Sequence, residues 1–216
     1  ELSSGWSMLF HLKLTGQLIY QKKDSPQKPH FNKHTHLIFY LSDKAKLLFN
    51  DVRQFGYIKI IKTAEIDNFF KKEKIGPEPL SRFFSFDNFK KIIAKKTKTK
   101  IKQFLMDQKN LAGIGNIYSD EILFAAGVNP LRPISQLKEK EIEKIFLNIK
   151  KILSQAIKYR GTSSNDYLDA FGREGAYLKY LAVYGQEGKN CVKCKQKIKR
   201  IKIGGRSAHF CPICQK

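Results

Sequence analysis

The sequence predicts a multidomain α+β protein, and three observations carry that expectation. Residues 1 to about 75 hold short β-branched and aromatic runs bounded by turn residues, residues 87 to about 160 repeat apolar residues at helical spacing, and all four cysteines fall in the tail as two C-x2-C pairs. Strands first, helices second and a metal-sized hairpin last is the order of separate layers, not of alternating βαβ units.

The strand-like segments are "WSMLFHLKLTGQLIY", "HLIFYLSD", "AKLLFND" and "GYIKIIK". The opening "ELSSGWSMLFHLKLTGQLIY" reads as two strands around a Ser4-Gly5 turn, as if the chain were entered partway through an antiparallel sheet. "IGPEPLSRF" then breaks the pattern with two prolines and a glycine. Ser85 is placed to cap a helix starting at "FDNFKKIIAKK", and "TKIKQFLMDQ" sets Ile101, Phe104 and Leu105 on one face. "IYSDEILFAAG" ends at Gly127, a C-cap position followed by Pro130. The longest helix, "EKEIEKIFLNIKKILSQAIKYRG", carries Ile142, Ile145, Phe146, Ile149, Ile152 and Leu153 on one stripe. These readings divide the chain at 1–76, 77–184 and 185–216, the middle segment becoming loop-rich from residue 161.

Charge narrows the partner. Lys and Arg total 41 against 19 Asp and Glu, a formal net charge of +22. The excess is blocked: Lys90, Lys91, Lys95, Lys96, Lys98, Lys100, Lys102 and Lys109 crowd the first helical signals, and the tail beyond Glu187 has no acid at all. Two such blocks beside helix and turn signals favour a polyanion, with nucleic acid first. An anionic membrane fits less well, because the basic residues are interleaved with turn and cysteine positions instead of forming one amphipathic helix. No apolar run reaches the roughly 18 residues of a membrane span and no secretory signal opens the chain, so the expected compartment is the cytosol.

Cys191-x2-Cys194 and Cys211-x2-Cys214 each set two thiolates on one tight knuckle, the donor set of one tetrahedral structural Zn²⁺. Disulfides or a redox pair are the alternative, with neither a secretory signal nor a thioredoxin-like context to support them. Between the knuckles, "QKIKRIKIGGRSAHF" alternates isoleucine with basic residues around a Gly204-Gly205 turn. Arg206, just after that turn, is placed either to reach a phosphate or simply to face solvent.

Four further segments carry candidate contacts. In "LAGIGNIY", Gly113 and Gly115 would let the backbone approach a ligand with positive φ, and Asn116 stands where a helix presents its free N–H groups. The plainer reading is a helix start capped by Asn116; the preceding lysines, Lys98 and Lys102 among them, favour an anion. In "NDVRQFG", Arg53 and Phe55 at a strand end either project into an unstacked base step or form an Asp-Arg pair over a core Phe. "HLKLTG" adds an apolar tip in Leu14, and "KHTH" puts His34 and His36 on one strand face, fit for phosphate more than for a metal lacking a third ligand.

Taken together, "HLKLTGQL", "KHTH", "NDVRQFG", "GPEPL", "LMDQKNLAGIGNIYSDEILFAAGVNP", "RGTSSNDYLDAFGREGAY", "LAVYGQEG" and "GGRSAHFCPICQ" resemble, in order and spacing across essentially the whole chain, the formamidopyrimidine-DNA glycosylase family of base-excision repair enzymes. The resemblance implies a partial antiparallel β-sandwich, a helix-two-turn-helix bundle and a C-terminal zinc-finger β-hairpin, a monomer closing on double-stranded DNA that contains oxidised bases. It implies flipping of an oxidised purine such as 8-oxoguanine or formamidopyrimidine, cleavage of the glycosidic bond, and nicking by β,δ-elimination. By position, Leu14, Arg53 and Phe55 match the family's void-filling trio, with leucine in place of the usual methionine. His34 and Arg53 match DNA contacts, Asn116 the phosphate-binding asparagine, and Lys102 a lysine near the lesion. Arg206 matches the finger arginine assigned phosphate binding and proton donation in elimination.

The sequence departs from the pattern in places. The N-terminal proline nucleophile, the glutamate after it and a lysine ahead of the "HLKLTG" strand have no counterpart, which gives the expectation of an N-terminally truncated chain that binds DNA without excising a base. Asn165 and Thr97 stand where basic residues are common, which touches lesion preference. Two other functions remain open within DNA repair, an endonuclease VIII-like glycosylase for oxidised pyrimidines and a non-catalytic damaged-DNA-binding protein. The Arg53-Phe55 pair argues against the first. An RNA-binding zinc ribbon would explain the tail but neither "GIGNIY" nor "NDVRQFG".

Overall fold

The computed structural model describes residues 1–23, 31–163 and 167–216, in two compact units: Glu1–Lys71 with Ala156–Lys179, and Lys72–Gln155 with Tyr180–Lys216.

The first unit is built on strands β1 (Trp6–His11), β2 (Gly16–Gln21), β3 (Thr35–Tyr40), β4 (Lys46–Asp51) and β5 (Tyr57–Lys62). β1 pairs antiparallel with β5, and β2 and β3 flank β4 antiparallel in a second sheet. Ile19 and Leu48 are paired and buried on one face of the central strand β4, Phe49 is buried on the other, and Phe10 of β1 meets Phe39 edge-on at 5.9 Å and Phe49 at 6.3 Å. Two small antiparallel sheets sharing an aromatic core are the partial sandwich expected from the sequence.

Two local expectations change. The first strand break lies at residues 12–15 and not at Ser4-Gly5: Gly5 (φ +78) turns the chain ahead of β1, whereas Lys13 adopts φ 52 and the Gly16 N–H returns to the Leu12 carbonyl at 2.9 Å. A Cβ on Gly16 would strike the Leu12 backbone, so glycine is required by close approach. Residues 63–72 are helical rather than strand-like, with a short 3-10 turn at Thr63–Glu65 leading into α1 (Ile66–Lys72). Ile66, Phe69 and Phe70 fall at i, i+3 and i+4, a helical spacing hidden in an aromatic run.

The second unit holds α2 (Phe86–Ile93), α3 (Ile101–Met106), α4 (Asn116–Ala126) and the start of α5 (Glu139–Lys158). Ser85 caps α2 by accepting from the Asn88 N–H at 3.2 Å, and Gly127 ends α4 in the left-handed conformation, φ 74. Phe84, Phe89, Phe104 and Phe146 cluster at the centre, and the predicted stripe of α5 from Ile145 to Leu153 is buried against them. The tail folds as a hairpin of β6 (Lys199–Ile203) and β7 (Arg206–Phe210), turned by Gly204 (φ 55) and Gly205 (φ 80). Phe124 of α4 joins Val183, Ile198, Cys191 and Cys211 in one buried cluster, so the hairpin shares a core with the helices. Among the described residues no helix is long and apolar enough to cross a membrane.

Candidate nucleic-acid interface

The sheet unit presents two exposed tips. Leu14 stands 61 % exposed on the turn between β1 and β2, and Phe55 stands 56 % exposed on the loop after β4. Arg53 and Phe55 do not share a strand face, because β4 ends at Asp51 and Gln54 takes φ 57. They meet instead by stacking, the Arg53 guanidinium 4.8 Å from the centre of the Phe55 ring. The core-Phe reading fails on that exposure, and Asp51 engages the loop's backbone instead of the Arg53 side chain.

Asp51 is 1 % exposed. Its Oδ1 accepts from the Thr15 hydroxyl at 2.5 Å and from the Arg53 N–H at 3.2 Å, and Oδ2 accepts from the Gly56 N–H at 2.7 Å. Burial pushes this carboxyl upward, but the bonds from Thr15, Gly56, Arg53 and Gln54 outweigh it and hold the pKa below the ordinary aspartate value. His34 and His36 do not act as a facing pair, since a register shift between Thr35 and Leu37 interrupts the alternation. The His36 Nε2 donates to the Asp51 carbonyl at 2.8 Å, and the His34 carbonyl accepts from the Asp51 N–H at 2.9 Å.

In the helical unit, the glycine turn leads into α4. Gly113 has the positive φ expected of it (+81), while Gly115 is extended at φ −107, with open space where a Cβ would stand. Gly115 therefore occupies the N-cap position without conformational need for glycine, and Asn116 is the first helical residue instead of the cap. Gly115 brings no side-chain cap to this end, where the positive end of the α4 dipole lies. The Asn116 Oδ1 is buried and is the one such side-chain atom lacking a partner among the described residues. Gln108 brackets the turn, accepting from the Gly113 N–H and donating to the Ile114 carbonyl, each at 2.8 Å.

Lys102 corrects an expectation. It is 0 % exposed and cannot lie on a DNA-facing surface as its place in the lysine block suggested; Lys98 remains exposed. The Lys102 Nζ donates to Asp120 Oδ1 at 2.5 Å and to the Ser207 carbonyl at 2.9 Å. Asp120 Oδ2 accepts from the His209 N–H at 2.8 Å and lies 3.2 Å from its Nδ1. Burial lowers the Lys102 pKa and the Asp120 carboxylate opposes that only in part. The network ties α3, α4 and β7 together: Asp120 sits one helical turn beyond Asn116, and Ser207 adjoins the exposed Arg206. Next to it, Glu121 accepts from the backbone N–H groups of Ala182, Val183 and Tyr184 at 2.8–3.0 Å. Burial pushes its pKa up, and those three bonds restrain the rise. Asp120, Glu121, His209 and Gln108 were not legible as site residues; the signal that could have found the first two is an acidic pair inside "IYSDEILFAA", an otherwise apolar helix.

The sulfurs of Cys191, Cys194, Cys211 and Cys214 all lie within 4.8 Å of one another, with Cys191–Cys214 at 3.8 Å and Cys194–Cys211 at 3.4 Å. Those separations suit thiolates about 2.3 Å from a shared tetrahedral Zn²⁺ and are far beyond the roughly 2.0 Å of a disulfide. The two knuckles form a structural zinc site. Asn165 lies outside the described residues.

A helix bundle whose uncapped helix start adjoins a lysine-rich segment, joined to a basic four-cysteine hairpin and accompanied by an antiparallel sheet unit with one leucine and one phenylalanine tip, defines a helix-two-turn-helix, zinc-finger DNA-binding protein. The family models agree: residues 1–58 match the formamidopyrimidine-DNA glycosylase N-terminal domain, 75–167 its H2TH domain, and 188–216 the zinc finger found in FPG and IleRS. The formamidopyrimidine-DNA glycosylase of Carboxydothermus hydrogenoformans is 44% identical over 216 residues, all of this chain and 76% of that protein, and that of Pelotomaculum thermopropionicum is 40% identical over the same share. The Lactococcus lactis Fpg in complex with abasic-site DNA superposes with a TM-score of 0.86 at 37% identity, over 98% of this chain and 75% of that one. A MutM in complex with carbocyclic 8-oxo-G DNA gives 0.87 at 36%, over 100% and 77%. The chain belongs to the formamidopyrimidine-DNA glycosylase family.

Proposed function

We propose that this chain is the DNA-gripping portion of a bifunctional glycosylase and AP lyase that removes oxidised purines from double-stranded DNA. The observation that carries the reading is the pair of exposed tips, Leu14 and the stacked Arg53-Phe55, on one sheet unit. Solvent-exposed apolar side chains with a guanidinium beside them suit the gap left when a base leaves the stack. Relatives solved with abasic-site, Fapy-dG and 8-oxo-G DNA support the substrate class. Asn116 and Arg206 grip phosphates flanking the flipped nucleotide, helped by Lys98 and His34. Lys102 is assigned to holding the hairpin instead of touching the lesion. Arg206 also donates the proton in elimination.

The proline nucleophile, glutamate and lysine implied by the resemblance have no match among these 216 residues. These 216 residues are assigned DNA binding, as a monomer, and base excision is assigned to those three groups where a chain carries them. Borohydride trapping on an 8-oxoguanine duplex tests this. No covalent complex is expected from the 216-residue chain, and one is expected when a Met-Pro-Glu-headed family segment is joined ahead of Glu1. A trapped complex from the chain itself would move the nucleophile into it, and equal affinity for 8-oxoguanine, abasic and undamaged duplexes would end the damage-recognition reading.

A further inference from the structure

The two tips are separate loops, and one buried carboxylate touches both. Thr15 follows Leu14 directly, while Arg53 and Gly56 bracket Phe55, and all three bond to Asp51. The Thr15 hydroxyl also accepts from the Arg53 N–H at 3.1 Å, so the loops are bridged without water. Each tip contains one non-glycine residue in the left-handed region, Lys13 at φ 52 and Gln54 at φ 57, a conformation that persists only where surroundings over-determine it. The fit is tight: a Cβ on Gly56 would lie 2.8 Å from the Phe49 ring and 3.0 Å from the Asp51 carboxylate.

We propose that Asp51 is a positioning residue that sets the spacing between the Leu14 tip and the Arg53-Phe55 tip, and thereby the ability to tell a vacated base site from intact duplex. The inference rests on the void-filling role proposed for those tips. The chemistry requires a carboxylate. Donors approach both oxygens, so an amide of the same shape would turn an NH2 group toward a donor at one of them and release one loop. Void filling asks two tips to enter one gap together, so a tip free to shift loses contacts made only in the distorted duplex. Backbone phosphate contacts, made by other residues, are common to damaged and intact DNA.

The test compares affinity for a duplex carrying a tetrahydrofuran abasic-site analogue with affinity for undamaged duplex, alongside the fluorescence of a 2-aminopurine placed next to the analogue. For Asp51→Asn the preference for the analogue should fall about tenfold, with the fluorescence change on binding reduced and affinity for undamaged duplex kept within about twofold. Thr15→Val should lose part of the preference and Thr15→Ser should restore it. A residue important for folding alone would lower thermal stability while leaving the preference ratio and the fluorescence change of the folded fraction unmoved. Retention of both by folded Asp51→Asn would overturn the proposal. Should that variant not fold, equal ratios for Thr15→Val and Thr15→Ser would overturn it, and their separation would support it. If the unaltered chain shows no preference for the analogue, the void-filling reading itself fails and takes this inference with it, an outcome distinct from a preference that survives loss of the clasp.

Discussion

The helical unit and the sheet unit hold the residues proposed to contact DNA by opposite means. Around Asn116 and Arg206 the supporting groups are polar and deep: Lys102, Asp120 and His209 are buried, and a zinc site braces the far end of the hairpin. Around Leu14 and Phe55 the apolar side chains stand in solvent, and support comes from two left-handed residues and the single carboxylate of Asp51. The difference suits the two tasks proposed for them, phosphate grip and void filling. A phosphate lies at nearly the same place in any duplex, so its receptor gains from a rigid scaffold. A void exists only after a base has left, so its filler has to be exposed beforehand and prearranged.

The largest expected effect separates the two supports outright. Removing zinc by chelation, or by replacing Cys211 and Cys214 with serine, should unfold the hairpin, since structural zinc contributes apparent stabilisation of about 10–16 kcal/mol in zinc-finger peptides. Elemental analysis should find about one zinc per chain, and NMR should show β6–β7 signals lost while those of β1–β5 persist. A metal-free tail that keeps its fold would break the contrast.

Next comes the buried ion pair. Asp120→Ala leaves Lys102 without its carboxylate and should cost about 3–5 kcal/mol in urea denaturation. The double change Lys102→Met with Asp120→Leu should recover much of that loss, because it removes both charges together. A single variant as stable as the parent would mean that Lys102 is not held as a buried cation.

The sheet unit's counterpart is smaller and depends on pH. The pKa of Asp51 is lowered in the folded protein, so its contribution is fully present above the unfolded value of about 3.9 and is lost as pH falls through the lower folded value. Thermal unfolding followed from about pH 7 down into that acidic window should show this loss, and Asp51→Asn should flatten the curve there while costing about 1–3 kcal/mol at neutral pH.

The smallest effect belongs to a clamp on the edge of the helical unit. Arg132 meets both oxygens of Glu141, at 2.5 and 3.0 Å, and donates to the Lys216 carbonyl at 3.0 Å. The Arg132 hydrogen bond leads the lowering of the Glu141 pKa. Because both side chains are partly exposed, Glu141→Gln should cost no more than about 1 kcal/mol above the unfolded glutamate pKa of about 4.3, the loss vanishing in stronger acid. Urea midpoints at two pH values check it.

Legibility in the sequence followed the same division. Zinc ligands were readable because two thiolates on a knuckle have one spacing, and the helix faces because Ile145, Phe146, Ile149 and Leu153 keep a 3.6-residue period. Lys102 was misread because it sits in a run of lysines that otherwise face solvent, and no local pattern marks the single one whose carboxylate lies 18 residues away. Asp120 and Glu121 stayed silent since acids are rarely buried unless paired, and their partners come from Lys102, from His209 and from the backbone of residues 182–184. The two tips were visible as apolar residues in turn-like surroundings. Their connection through Asp51 was not, because it depends on the β2–β4 register that brings Gly16 opposite Asp51.

The most direct test of this division is the salt dependence of affinity for an abasic-analogue duplex, measured for the parent chain, Arg206→Ala and Leu14→Ala. The parent should show a steep fall between about 50 and 200 mM salt, Arg206→Ala should reduce the logarithmic slope by about one, and Leu14→Ala should weaken binding at every salt concentration with the slope unchanged. A flat response from the parent, or a slope altered by Leu14→Ala and untouched by Arg206→Ala, would contradict the assignment of phosphate grip to the helical unit and void filling to the sheet unit.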